Sequence, residues 1–115
     1  MRVLVTGGRD YNNASRIEAA IVDFGVTELA HGGARGADSL AGSIAERRGL
    51  PVTVYFADWQ RDGKAAGHIR NRIMLNNFKP DAVIAFKGGK GTSNMVEYAK
   101  SKGYKIIDID FTDNA

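Results

Sequence analysis

Residues 2–31 read RVLVTGGRDYNNASRIEAAIVDFGVTELAH: an apolar run from Arg2 to Thr6, a pair of glycines, a helical pattern, and a second apolar run from Thr27 to His31. In the helical part Ile17, Ala20, Ile21 and Phe24 recur at the spacing that puts side chains on one face of a helix. Ser15 and Glu18 have the spacing of a capping box, and Gly25 supplies the stop. Strand, helix and strand in this order form the unit that joins parallel strands by a right-handed crossover.

The same rhythm continues outward. Further apolar runs occur at Val52 to Phe56, Asp81 to Phe86 and Lys105 to Ile109. Helical patterns fill the gaps at about residues 38–48, 65–78 and 93–102, with Gly49, Pro51 and Gly103 as stops. The pattern predicts an α/β, Rossmann-like three-layer sandwich. Its parallel five-stranded sheet has the strand order 3-2-1-4-5, because a reversal after the third strand places the first and fourth loops side by side. Residues 1–115 are expected to form one domain, with residues 112–115 frayed.

Bulk composition limits the function. The 115 residues contain no cysteine, which removes disulfides and thiolate metal sites. No apolar stretch is long enough for a membrane span or a signal segment, so a soluble, cytoplasmic protein is expected. The net charge is +3, but the basic residues are scattered along the chain. That favours a small phosphate-bearing partner over polymeric nucleic acid; a homo-oligomer is left open.

The glycines carry the functional signal. Eight of the 14 fall in three clusters: Gly7 and Gly8; Gly32, Gly33 and Gly36; Gly88, Gly89 and Gly91. Each cluster follows a predicted strand and so lies at the carboxyl edge of the sheet, where open α/β folds bind ligands. Backbone N–H groups hold phosphate only where no side chain obstructs the approach, and a helix N-terminus adds oriented donors. The plainer reading is that these glycines turn tight corners. GGKGT lacks the Walker spacing and no GxGxxG opens the first helix, which disfavours NTPases and ordinary NAD dehydrogenases.

The segments VTGGRDY (5–11), HGGARGADSLA (31–41), FADW (56–59), GKAAGHIRNRIML (63–75) and AFKGGKGTSNMV (85–96) resemble, in order along the chain, the YspA-type branch of the SLOG superfamily. The resemblance implies a Rossmann-like sheet and a ligand built from nucleoside, ribose and phosphate. The related lonely-guy phosphoribohydrolases carry an arginine, a methionine four residues later, and PGGxGTxxE. Arg70, Met74, Gly88, Gly89, Gly91 and Thr92 match, whereas Lys87 replaces the proline and Met95 stands where the glutamate belongs. Glu97 lies about 200° around a helix from that place.

Each remaining candidate has a functional and a plain reading. Arg9 and Asp10 can meet a ribose or phosphate or form a polar turn, and Tyr11 can stack on a base or pack. Arg35 suits bidentate phosphate binding or solvent. Asp38 is a candidate general acid or base, with Asp10 beside it, or else caps the second helix. Ser39, Lys90 and Ser93 are further candidate phosphate ligands, and Trp59 walls the pocket or packs beneath a loop. Arg70 and Asn71 combine the resemblance with the basic character a phosphate pocket needs, whereas Arg72 points away from them. His31 and His68 lack metal-ligand spacing, and no metal or cofactor is implied.

The sequence therefore predicts a cleft bordered by Gly8, Arg35, Gly89, Gly91 and Thr92, with Arg70 at its rim. The expected function is a sensor or sequestering module for a nucleotide-derived ligand. An N-glycosidic hydrolase using Asp38, Asp10 or Asp58 is the alternative, and single-stranded DNA binding stands last.

Overall fold

The computed structural model describes residues 1–112. Five strands, β1 (Arg2–Thr6), β2 (Glu28–His31), β3 (Val52–Val54), β4 (Ala82–Ala85) and β5 (Lys105–Asp108), alternate with helices α1 (Ala14–Asp23), α2 (Ala37–Arg47), α3 (Trp59–Asp62), α4 (Ala66–Phe78) and α5 (Lys90–Ser101). All strand pairs are parallel, and the sheet order is β3-β2-β1-β4-β5, as the sequence pattern requires.

The two-residue period of β1 explains the layers. Val3 and Val5 point into a core shared with Ile17 and Ile21 of α1 and Ile44 of α2, whereas Leu4 points into a second core with Met74 and Leu75 of α4 and Met95 of α5. The central strands are buried on both faces, as a parallel sheet covered by helices demands. No helix among the described residues is long and apolar enough to cross a membrane.

Several local expectations are corrected. The cap of α1 is Asn13, whose side chain accepts the Arg16 N–H at 3.1 Å; the helix starts at Ala14, so Ser15 already lies inside it. Phe24 follows the helix and is partly exposed, outside the buried stripe of Ile17, Ala20 and Ile21. Strand β3 ends at Val54 because its partner β2 ends at His31, which takes one last bond from the Tyr55 N–H. Helix α3 has no counterpart in the sequence pattern, since four residues are too few to show a period. Helix α5 begins at Lys90, three residues before the expected Ser93.

At the chain's end, the Asp108 carboxylate accepts bonds from the Phe111 and Thr112 N–H groups and the Thr112 hydroxyl. Thr112 is thus tied down instead of frayed, and the rest of the predicted frayed segment, 113–115, lies outside the described residues.

Candidate functional site

The loops after β1, β2 and β4 meet at the carboxyl edge of the sheet. They do so by backbone contact. The Gly8 N–H donates to the Lys87 carbonyl at 2.9 Å, and the Ala37 N–H donates to the Gly8 carbonyl at 3.1 Å. A Cβ on Gly7 would strike Ala37 and Phe86, one on Gly8 would strike Lys87 and Gly88, and one on Gly88 would strike Thr92 and Gly8. Gly36, at φ +82°, would strike the Gly8 and Arg9 carbonyls. These glycines have a complete explanation in how the loops pack.

Gly89 and Gly91 do not. A Cβ on either would meet nothing within 4 Å, and neither has a positive φ. Both border a cleft of about 450 Å³. Helix α5 starts there without a capping side chain, and among the described residues the N–H groups of Lys90, Gly91 and Thr92 have no hydrogen-bond acceptor. A helix N-terminus of this kind displays donors and the positive end of the helix dipole.

The cleft also collects Arg9, Lys64, Arg70 and Lys90, with Asp38 as the sole carboxylate in its lining among the described residues. Arg70 is partly buried; its guanidinium donates to the Gly32 carbonyl and, through Nε, to Asn71 Oδ1 at 3.1 Å. Asn71 in turn donates to the Gly91 carbonyl at 3.2 Å and to Asn94. The loop after β2 and the start of α5 are therefore linked through α4. Burial lowers the pKa of Arg70, partly opposed by Asp38.

Asp38 is 6% exposed and is not the cap of α2, a place held by Gly36. Its Oδ2 accepts the Gly32 N–H at 3.1 Å and the Ala34 N–H at 3.3 Å, so it braces the β2–α2 loop from inside. Its Oδ1 takes no hydrogen bond among the described residues and is not left orphaned by burial. Burial pushes its pKa up to about 6, against the opposing pull of the Ala34 N–H, Arg70 and the Gly32 N–H.

Of the other candidates, Gly7, Gly8, Arg9, Gly32, Trp59, Arg70, Asn71, Lys90 and Thr92 line this cleft. Arg35 does not. It lies on an adjoining hollow with Gly33 and makes a 3.4 Å ion pair with Asp10, whose side chain is 97% exposed. Tyr11 borders a third hollow with Gly88, stacks obliquely on Phe86 and donates its hydroxyl to Asp110. Ser39 and Ser93 are outside the lining; Ser39 Oγ donates to the Ala34 carbonyl at 2.7 Å. Met95, at the position of the glutamate in the resemblance, is fully buried in the α4/α5 core.

Sequence reasoning passes over Lys64 and Gly67 and weighs His68 only as a metal ligand, yet all three line the cleft. It also passes over Asp110. This buried carboxylate accepts from the Lys87 N–H at 2.7 Å, the Tyr11 hydroxyl at 2.8 Å and Arg16 at 3.0 Å, and so ties the first and fourth strand-end loops together. Burial raises its pKa, but the three donors outweigh burial and hold it below the ordinary carboxylate value. Nothing local marks it.

Residues 1–61 match the model of the YspA, cpYpsA-related SLOG family. Gene 61 protein of Mycobacterium phage D29 is 34% identical over 121 residues, a match covering 94% of this chain and 95% of that protein. The chain belongs to the YspA, cpYpsA-related SLOG family. In fold it is similar to DNA processing protein A (DprA) from Streptococcus pneumoniae, with a TM-score of 0.73 at 20% identity over 91% of this chain. The chain spans about half of that structure, 48% of its length.

Proposed function

We propose that the cleft binds a nucleoside phosphate, and that the protein acts as a sensor or sequestering module for such a ligand. One observation carries this reading: Gly89 and Gly91 lack side chains without any steric need inside the protein, and both face the cleft at the uncapped start of α5. Glycine at 91, inside the helix, costs stability, whereas at 89, the N-cap, it is an ordinary residue; close approach of an anion to the backbone is the return for the cost at 91. The phosphate sits on the N–H groups of residues 90–92, with Arg9, Lys64 and Arg70 supplying charge. Asp38 Oδ1 accepts from a ribose hydroxyl.

A second reading has its own support. A carboxyl in the cleft lining, with a pKa of about 6 and one oxygen free of hydrogen bonds among the described residues, has the properties of a general acid or base. In a hydrolysis of the N-glycosidic bond, Asp38 as carboxylate takes a proton from water as that water attacks the sugar carbon, and the base departs with the bonding pair. Calorimetry with AMP tests binding, and chromatography of the same mixture tests for free adenine. Binding without adenine supports the module. Repeated turnovers abolished by Asp38→Asn support the hydrolase, and no binding of AMP or other nucleoside monophosphates refutes both.

A further inference from the structure

The hollow beside the central cleft, about 470 Å³, adjoins it: Arg9, Gly32, Ala34, Trp59 and Arg70 line both. Two aromatic side chains stand at its mouth. Phe56 is 75% exposed and Trp59 54% exposed, and neither is needed by the core: α3, which carries Trp59, has no buried residue. The Phe56 ring lies over Gly33, where a Cβ would be. Trp59 reaches toward Gly67 of α4.

Single exposed apolar residues are ordinary on a protein surface. The surroundings of this pair are not those of an apolar contact patch, since Arg9, Arg35 and Arg70 line the same hollow and, among the described residues, no carboxylate does. Flat rings flanked by guanidinium groups suit an aromatic ring attached to an anion: the ring stacks and the guanidinium groups meet the charge. No residue of α5 lines this hollow, so a phosphate seated on that helix does not fill it.

Resting on the reading of the central cleft as a nucleoside phosphate site, we infer that the ligand is of the dinucleotide class, with a second ring held by Phe56 and Trp59. Arg9 and Arg70, at the junction of the two hollows, meet the bridging phosphates. Arg35 faces the second nucleoside from the outer wall.

The test compares AMP with diadenosine 5′,5′-diphosphate by calorimetry and by the fluorescence of Trp59, the chain's single tryptophan. Stacking of one base on an aromatic side chain predicts about tenfold or greater tightening for the dinucleotide, with deeper quenching of Trp59. Phe56→Ala should return the dinucleotide to the affinity of AMP and leave AMP itself unchanged. If AMP binds and the dinucleotide binds no tighter, or if Phe56→Ala changes nothing, the central cleft stands and the second subsite is refuted. If neither binds, both readings fall. Tighter binding of an oligothymidylate than of either nucleotide would replace the dinucleotide with a DNA strand.

Discussion

Gly91→Ala separates a ligand-facing glycine from a packing one. Residue 91 is the second residue of α5, with no positive φ and open space where the new methyl group would project. The substitution relieves the entropy cost of glycine in a helix, about 0.5–1 kcal/mol. For a chain of this size that is a rise in melting temperature of about 2–5 °C. In the same variant the methyl group stands beside the N–H groups proposed to hold phosphate. Losing close approach to charged hydrogen bonds should weaken AMP binding by about 1.5–3 kcal/mol, or roughly 10- to 150-fold. Thermal denaturation followed by circular dichroism, with calorimetry on the same preparation, reads both effects. A fall in melting temperature would show that the methyl group meets protein atoms after all. A variant that is more stable and binds AMP as wild type does would show that the bare backbone at residue 91 serves no phosphate.

Asp110→Ala should cost about 2–4 kcal/mol in urea denaturation, because Lys87 N–H, Tyr11 and Arg16 lose their shared acceptor. Since the folded pKa of Asp110 is depressed, its contribution is present above the unfolded value of about 3.9 and disappears as pH falls through the lower folded value. Asp38 has the opposite sign: its folded pKa of about 6 lies above the unfolded one, so stability falls as pH rises between the two and is flat above. Asp38→Asn should therefore be more stable than wild type at pH 7 by about 1–3 kcal/mol, a gap that closes near pH 4; denaturation curves at both pH values check it. Arg35→Ala should change stability by less than about 0.5 kcal/mol, as its one ion pair is exposed. Arg70→Ala should weaken AMP binding by about 1.5–3 kcal/mol and also lower the melting temperature, because Arg70 holds the Gly32 carbonyl.

The sheet order is legible in the sequence because it rests on long-range pattern: five β-branched runs, four helical stretches between them, and one-handed crossovers. Features set by a single residue's environment are harder to read. Asn13 and Ser15 are both good caps, and only the position of the first helical hydrogen bond decides between them. Helix α3 carries no period in four residues. Asp38 looks like a helix cap in sequence, yet its side chain turns back to the loop before the helix. Asp110 binds a tyrosine 99 positions away, a relation that no spacing rule encodes. Charge alone puts Arg35 in the central cleft, but the β2–α2 loop turns it toward Asp10 and the adjoining hollow.

The three glycine clusters look alike in sequence, and the fold divides them. Gly7, Gly8, Gly36 and Gly88 let three loops touch backbone to backbone, so the corner-turning explanation suffices for them. The same explanation fails for Gly89 and Gly91, where space is open and φ is not positive. The first group builds the cleft and the second leaves its wall bare. A side chain at Gly8 or Gly88 would force the loops apart, whereas one at Gly89 or Gly91 would leave the architecture intact and alter only what can approach α5. Any role for the glycines in binding must therefore be sought in the second group, where loss of affinity can be measured in a protein that still folds.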